Sequence, residues 1–564
     1  MNRYSLKTMA AAAMLATSGA ACAVVPVLPQ MTGNVIFLHP DGTGPNHWNA
    51  ARSYWKGPDA QLNWDRLPQM AAYRGHMTDM LTGTSNGGAT VHAFGYKVEG
   101  RGSFGKDGDG NLVPPTDRFI NALSGYPGSI LREAGNSGHP VGLINDGNIG
   151  EPGTGVFAAE VGNRDNWNAI ALQIIAGRDG ASPVGSSTDQ APHVILGGGE
   201  RNFLPAGTPA CAPGAAGTFM QHGIPTYPLN CMVHTLDWSK PSGATGPLGI
   251  GRVATADRTD ARNLLLEAAN AGYLVIRTRA EFEAVRAHIE SNRNWQPKIL
   301  GLFAAHHTFN DRNEEDLIAS GFRDPSIDVN AKSSNLVLFG NPRATDPGFN
   351  PPRGDEMMRM ALIVLSRVSN TVNKPYFLVA EPESNDNFGN SNNAIGMLTA
   401  LKVADDMIGV VLEAQQARLR DPMDSRFSTT VLTAADSDAS GMQLAALSAT
   451  PNVTDLAANP AAGLAAVRNP LDGLYGRATQ SFAAAPDQFG RVLHFGIAWT
   501  GTPDFSGGIL ARAGGNRGVN ADWRGNVTLA DFSARFDNTD VYRFMYARLF
   551  GQLLPAPTTE APTR

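Results

Sequence analysis

The hydrophobic positions of this chain alternate between short continuous runs and longer amphipathic segments. Eight short runs are rich in Val, Ile, Leu and Phe, which is typical of buried strands. These runs are Val35–Leu38, Val141–Ile144, Val194–Leu196, Tyr273–Ile276, Ile299–Phe303, Tyr376–Val379, Thr430–Leu432 and Leu493–Ile497. Helical spacing of apolar residues predicts helices within Asp260–Ala271, Ala280–Ile289, Asp355–Val368 and Asn392–Leu419.

This alternation predicts the fold class. Continuous apolar strands separated by helices favour an α/β fold, with a mostly parallel central sheet and helices on both faces. Two stretches, about 205–251 and 450–488, lack recognisable motifs and are interpreted as loop insertions on that scaffold. They are either substrate-facing loops or segments without a role in function.

Composition and charge narrow the class of protein. The 564 residues are 42% hydrophobic, which is enough for one large core or two domains. The formal net charge is −6 and the basic residues are dispersed, so no basic face for nucleic acid is expected. After the N-terminal region no stretch reaches the length of apolar sequence that a membrane span needs.

The N-terminal residues predict export. Two basic residues precede the apolar stretch Met9–Leu15, and small residues around Cys22 offer a cleavage site. This is the layout of a secretory signal. We therefore expect residues 1–23 to be a signal peptide and residues 24–564 to form the mature, periplasmic or secreted protein, without a lipid anchor at Cys22.

Removal of the signal leaves two cysteines, Cys211 and Cys231. In an oxidising compartment such a pair is expected to form a disulfide. Closing a loop of about 20 residues contributes roughly 3 kcal/mol through loop-closure entropy. Two free thiols are the alternative.

Acidic residues follow three of the predicted strands. They are Asp41 after the first strand, Glu381, Glu383 and Asp386 after the sixth, and Asp436 and Asp438 after the seventh. Ligands gather at the carboxyl ends of parallel strands, and crowded acids repel one another unless a cation lies among them. The pattern predicts a divalent metal site. The alternative is that each acid caps the following helix.

Longer motifs resemble those of the alkaline phosphatase family. Thr84–Lys97, with the sequence TSNGGATVHAFGYK, resembles the family's nucleophile segment DSAGTATAxxxGVK without a gap. Asn34–Gly44 is similar to the family's first strand and its DGxG turn, and Glu151–Arg164 to the stretch that ends in a phosphate-binding arginine. Further matches follow in the same order at Ile195–Gly199, Leu300–Phe303 and Asp537–Asp540. The resemblance covers nearly the whole mature chain.

This resemblance implies a metal-dependent catalytic domain over residues 24–564, and possible homodimers. Ser85 would be the nucleophile that forms a phosphoseryl intermediate, and Arg164 would hold two phosphate oxygens through its planar fork. Asp41 would bridge two metal positions. The implied metal ligands are Asp41, Ser85, Glu381, Asp386, Asn390 and Asp436. The residues alone leave a helix cap open for Ser85 and a surface ion pair open for Arg164.

The chain departs from the family at the metal ligands. The family's three zinc-binding histidines are replaced: Asn390 and Ser437 stand at two positions, and Phe505–Gly507 at the third, with Asp504 beside it. Thr84 precedes the nucleophile, where the family has Asp. Oxygen donors suit Ca²⁺, Mg²⁺ or Mn²⁺ better than zinc, so we expect Ca²⁺ or Mg²⁺ in preference to zinc.

Several other residues near these positions are further candidates for the site or for packing around it. Asp438 and Asp504 are further candidate ligands, and Thr154 and Glu151 lie near the family's third metal site. Two histidines near the site, His39 and His92, are interpreted as packing residues rather than participants in the reaction.

The function expected from these features is hydrolysis of small-molecule phosphate monoesters, with release of phosphate outside the cytoplasm. The alternatives are a phosphodiesterase of the same superfamily and a non-catalytic phosphate- or metal-binding relative. Loss of the three histidines favours the binding protein. Retention of Ser85 together with the acids argues against it.

Overall fold

A computed structural model of the chain describes residues 32–100, 104–108, 118–239, 252–319, 350–417, 421–445, 481–515, 527–532 and 536–564. The predicted signal peptide, 1–23, lies outside the described residues. So does most of the second predicted insertion, about 450–488.

Each of the eight predicted strands and four predicted helices overlaps a strand or helix of the structure, which contains further elements besides. The strands are β1 (Asn34–Leu38), β2 (Gln69–Arg74), β3 (Val141–Asn148), β4 (Val194–Gly198), β5 (Phe219–Gln221), β6 (Ile224–Thr226), β7 (Leu236–Asp237), β8 (Arg252–Val253), β9 (Tyr273–Ile276), β10 (Lys298–Leu302), β11 (Phe377–Glu381), β12 (Thr429–Thr433), β13 (Asp438–Ala439), β14 (Gln443–Ala445), β15 (Phe482–Ala483), β16 (His494–Ala498), β17 (Asp504–Phe505), β18 (Ile509–Gly514) and β19 (Phe536–Asp537). The α-helices are α1 (Pro45–Trp55), α2 (Ser85–Phe94), α3 (Ile130–Asn136), α4 (Pro152–Gly155), α5 (Trp167–Ala176), α6 (Leu264–Asn270), α7 (Arg279–Ser291), α8 (Glu314–Ala319), α9 (Gly354–Val372), α10 (Ser384–Asn390), α11 (Ala394–Gln415) and α12 (Asn538–Phe550).

A ten-stranded central sheet organises the fold, with strand order β19-β2-β18-β12-β1-β11-β3-β4-β10-β9. From β12 to β9 all neighbouring strands are parallel. Only β18 is antiparallel to its neighbours in this sheet, β12 and β2. The predicted α/β fold with a mostly parallel sheet is therefore confirmed.

The sheet is covered by helices on both faces. Alternate residues of β1 point to opposite sides: Val35 and Phe37 join a core that includes α2 and α12, whereas Ile36 and Leu38 join one that includes α1, α9 and α11. All four side chains are completely buried. A strand buried on both faces has no polar side, which explains its continuous apolar sequence.

Two aspects of the sheet differ from the hydrophobic pattern. The run Leu493–Ile497 forms β16, but this strand pairs antiparallel with β14 and β15 in a separate three-stranded sheet. The strands β2 and β18 were not predicted. Each alternates along much of its length between more and less exposed residues, so neither shows a continuous apolar run.

The first predicted insertion contains the two mature cysteines. Cys211 and Cys231 form a disulfide with their Cα atoms 4.8 Å apart, which confirms the predicted pairing. A short hairpin of β5 and β6 lies between them. Among the described helices, none combines the length and the apolar character needed to cross a bilayer.

Candidate active site

The candidate site lies where three adjacent parallel strands end. In the sheet β1 is flanked by β11 on one side and β12 on the other. Their register pairs Leu38 with Ala380 and with Thr433, so the three strands end at the same level. The acidic segments that follow them consequently begin side by side at one edge of the sheet.

The first cluster of polar side chains consists of His39, Asp41 and Asp436, whose potential ligand atoms all lie within 4.8 Å of one another. The Nε2 atom of His39 lies 3.8 Å from Asp41 Oδ1 and 3.5 Å from Asp436 Oδ1. Burial lowers the pKa of His39, but the two adjacent carboxylates outweigh it and raise the pKa to about 10. In the metal-free protein a protonated His39 therefore lies beside the two carboxylates, and all three groups are buried away from water.

A second cluster, Asp41, Glu381 and Glu383, shares one residue with the first. Three donors reach Glu381: Asn145 Nδ2 at 2.5 Å, the Gly153 amide at 2.8 Å and Thr154 Oγ1 at 3.2 Å. Burial and the charges of Glu151 and Glu381 raise the pKa of Glu383 well above its usual value. Among the described residues, neither carboxylate oxygen of Asp41 has a hydrogen-bond partner.

A third group joins Asp386, Asn390 and Asp504. The Asn390 Nδ2 atom donates to Asp386 Oδ1 and Oδ2 at 2.9 and 3.0 Å, and to Asp504 Oδ1 at 3.1 Å. Its Oδ1 accepts from Ser440 at 3.3 Å. Burial, and then the charges of Asp504 and Asp41, raise the pKa of Asp386 well above its usual value. Rotation of the amide by about 180° would turn its oxygen toward the two acids instead.

Asp438 belongs to neither of the two clusters that contain Asp41. Its Oδ1 lies 3.4 Å from His47 Nδ1, and that nitrogen accepts a hydrogen bond from the Gly44 amide at 3.1 Å. Burial and the charge of Asp504 raise the pKa of Asp438 to about 7. Burial lowers the pKa of His47 to about 3. Among the described residues, Asp438 thus lies beside an uncharged imidazole.

Ser85 begins α2, whose first turn approaches Asp436. Thr84 caps the helix, since its Oγ1 accepts a hydrogen bond from the Gly87 amide at 3.2 Å. The helix start approaches Asp436 so closely that a Cβ atom on Gly88 would lie 2.5 Å from the Asp436 Cβ. Ser85 is only 7% exposed. It lies at a positive helix N-terminus that favours a phosphoryl group.

Arg164 reaches the acids from the segment after α4. Its Nη2 lies 3.2 Å from Glu151 Oε2, and the other oxygen of Glu151 lies 3.4 Å from His307 Nε2. Burial lowers the pKa of Arg164, but the charges of Glu151, Glu383 and other acids outweigh this and raise it. The guanidinium side chain remains about a third exposed, at 34%. It thus lies between the acids and solvent.

Part of this chain is similar in sequence to known alkaline phosphatases. Residues 32–223 match the family model described as alkaline phosphatase. A 184-residue stretch is 27% identical to the tissue-nonspecific isozyme of alkaline phosphatase from Gallus gallus, and covers 31% of this chain and 34% of that protein. The chain thus aligns with about a third of the length of that relative.

Solved structures extend the likeness to the whole fold. The alkaline phosphatase of Thermus thermophilus superposes with a TM-score of 0.55 at 15% identity, over 95% of this chain and 94% of that one. The resemblance to the alkaline phosphatase family is confirmed. A mutant of the TAB5 alkaline phosphatase with Mg bound in its M3 site gives a TM-score of 0.51 at 14% identity, over 93% and 99% of the two chains. At these identities the structures establish an alkaline phosphatase fold.

Within this alkaline phosphatase fold, the structure brings the predicted site residues to one region from two parts of the chain. Asp41, Ser85 and Arg164 lie inside the stretch that the family model matches, and Glu381, Asp386, Asn390 and Asp436 lie beyond it. The spatial neighbours of Asp41 come from both parts. The site therefore combines residues from both parts of the chain.

Sequence reasoning missed two close neighbours of Asp41. Glu383 follows the sixth predicted strand and lies in the second cluster, but it is not among the ligands that the family resemblance implies. His39 was interpreted as packing, although its Nε2 faces two carboxylates. For Glu383 the signal was available, because acids two residues apart at a strand end can both turn toward one site.

Proposed function

We propose that this chain is a metal-dependent phosphomonoesterase that uses Ser85 as its nucleophile and releases phosphate outside the cytoplasm. The observation that carries the proposal is the position of Asp41. Its carboxylate is buried, lies in two acidic clusters, and finds no protein donor among the described residues. Buried carboxylates without partners are costly, and a divalent cation on either side of Asp41 would compensate this charge.

The residues around Asp41 fit such cations. Glu381, Glu383 and Asp386 offer only oxygen ligands, which suit Mg²⁺ or Ca²⁺. Asn390 would also offer an oxygen ligand once its amide oxygen turns inward. The Mg found in the TAB5 mutant structure is in keeping with this assignment. When bound, the cations would supply Lewis-acid stabilisation of charge on the attacking and leaving oxygens.

Ser85 and Arg164 would act on the substrate itself. The Ser85 hydroxyl, at the start of α2, would attack phosphorus as the bond from phosphorus to the ester oxygen breaks, and the serine proton would end on the departing ester oxygen, which leaves as an alcohol. The amides at the helix N-terminus and the Arg164 fork would hold the non-bridging oxygens. Arg164 is partly exposed and pairs with Glu151 through Nη2, so its other N–H groups would bind the incoming anion. Water would then hydrolyse the phosphoserine.

Two other features support the proposed compartment and the proposed size of the substrate. The Cys211–Cys231 disulfide supports a location in an oxidising compartment, periplasmic or extracellular. A pocket of about 420 Å³, lined by Tyr73, Gly83, Asp436 and Phe505 among others, opens beside the site. We propose that it accommodates the leaving group of small phosphate esters.

The decisive experiment is metal reconstitution. Protein stripped with a chelator is refilled separately with Ca²⁺, Mg²⁺, Mn²⁺ or Zn²⁺, and its turnover of an aryl phosphate is compared with that of an aryl phosphodiester. We expect Mg²⁺ or Ca²⁺ to restore monoester hydrolysis. Faster turnover of the diester would favour a phosphodiesterase, and no turnover with any metal would favour a binding protein.

A second experiment tests the nucleophile. Ser85→Ala should abolish turnover, and acid quenching of the wild type during turnover should trap phosphate on the peptide that contains Ser85. The matched control is Ser291→Ala, at the exposed end of α7, which should keep full activity. A Ser85→Ala protein with most of its activity would refute the assigned nucleophile.

A further inference from the structure

One completely buried side chain at this site has no role in the proposed function. His39 follows β1 directly, and its amide donates to the Ala380 carbonyl at 2.8 Å, so the sheet fixes its backbone. The ring packs edge-on against Phe37 and His92, with centroids 5.8 and 5.3 Å away. The imidazole is therefore held in one position, with Nε2 toward Asp41 and Asp436.

The atoms that meet there lack the partners that buried polar atoms normally have. Within the described part of the chain, Nδ1 and Nε2 of His39, both oxygens of Asp41 and Oδ2 of Asp436 have no hydrogen-bond partner. The distances of 3.8 and 3.5 Å from Nε2 to the two carboxylates exceed the 2.7–3.2 Å range typical of hydrogen bonds. An unsatisfied buried polar atom costs about 1–3 kcal/mol, so packing alone is a poor explanation for this arrangement.

The spacing suits ligands around one ion. Two donor atoms that each lie about 2.1 Å from a tetrahedrally or similarly coordinated metal are separated by roughly 3.5 Å. The three residues have their potential ligand atoms within 4.8 Å of one another, and all three are buried. Nitrogen together with carboxylate oxygen is a donor set that favours transition metals over Ca²⁺ or Mg²⁺.

We propose that His39 Nε2, Asp41 and Asp436 form a mixed nitrogen and oxygen site for a divalent transition-metal ion such as Mn²⁺ or Zn²⁺. The assignment rests on the proposed function and deepens it, since Asp41 is a ligand there too and Asp436 lies in the same cluster. It makes the two positions that share Asp41 chemically different. The metal position beside Glu381 has oxygen donors alone, whereas the position beside Asp436 also has the imidazole nitrogen of His39.

The test is direct detection of the nitrogen ligand. Full-length protein is stripped, loaded with Mn²⁺ alone and examined by pulsed electron paramagnetic resonance, which reports nitrogen bound to the metal. We expect nitrogen coupling in the wild type, and its loss in His39→Gln. Titration calorimetry should show one class of Mn²⁺ site weakened by at least about tenfold in that variant.

His92→Gln is the matched control, because His92 is equally buried and adjacent but faces Tyr73. It should keep the nitrogen coupling, and excess Ca²⁺ should not remove the coupling from the wild type. Bound Mn²⁺ without nitrogen coupling in the wild type would overturn the proposal, and so would coupling that persists in His39→Gln. Nitrogen-coupled Mn²⁺ in a protein that hydrolyses no phosphoester would support the ligand assignment and reject the proposed function.

Discussion

Gly88→Ala tests whether the site depends on the close approach between α2 and Asp436. An added Cβ would lie 2.5 Å from the Asp436 Cβ and 3.4 Å from its Cα. Carbon atoms prefer separations of about 3.5–4.0 Å, so the helix and the Asp436 segment must separate by roughly 1 Å. Overpacking of this kind costs about 1–3 kcal/mol, against a gain of about 1 kcal/mol in helix propensity.

The effect on activity should exceed the effect on stability. Ser85 lies on the same helical turn as Gly88, so the shift moves the nucleophile relative to Asp436. A misplacement of about 1 Å can reduce the rate by roughly 100-fold. We therefore expect kcat/KM on an aryl phosphate, at saturating metal, to fall by about that factor, while the free energy of unfolding falls by no more than about 2 kcal/mol.

Gly135→Ala provides the matched control for this substitution. Gly135 also lies in a helix, α3, but its added Cβ would meet Val141 and Gln190 at ordinary distances of 3.5 and 3.6 Å. This variant should keep full activity and gain up to about 1 kcal/mol of stability. If Gly88→Ala behaved like Gly135→Ala in both measurements, the proposed proximity of nucleophile and metal ligand would be refuted.

Two further predictions concern stability. In metal-free protein, burial raises the pKa of Asp504 to about 6 and that of Asp438 to about 7, so the folded state binds these protons more tightly than the unfolded chain. The free energy of unfolding in urea should therefore fall as pH rises from about 4 to about 7, by up to roughly 4 kcal/mol for Asp438. Asp438→Asn should flatten this dependence, and an unchanged profile would contradict the assignment. Replacing both Cys211 and Cys231 by Ser should lower the free energy of unfolding by roughly 3 kcal/mol, and reduction of the wild type should have the same effect. Equal stability of the reduced and oxidised protein would contradict the predicted contribution of the disulfide.

The parallel core of the sheet could be predicted from sequence because its strands are buried on both faces. Each therefore appears as a continuous apolar run, and acids after such runs are expected at one edge. The sequence pattern alone therefore predicts that Asp41, Glu381 and Asp436 lie together. By contrast, β2 and β18 mix exposed and buried residues, so the antiparallel part of the sheet left no clear signal.

Side-chain direction limited what could be predicted within the site. Asp436 and Asp438 follow the same strand, yet one lies in a cluster with Asp41 while the other faces His47. Two residues of irregular backbone suffice to turn a side chain to another partner, and no sequence pattern encodes that turn. His39 was missed for the same reason, because an imidazole is a ligand or a packing group depending only on where its ring lies.

The position of β1 in the sheet has a consequence for how the protein is made. Its first residue, Asn34, bonds to the Tyr376 amide 342 residues later and to the Thr429 hydroxyl 395 residues later. At about 5–20 residues per second, the ribosome needs roughly 20–80 s to supply these neighbours. During that interval the four consecutive apolar residues of β1, Val35–Leu38, have neither neighbouring strand to pair with. The nascent chain should therefore require a holding chaperone, and a truncated product that ends before Tyr376 should aggregate.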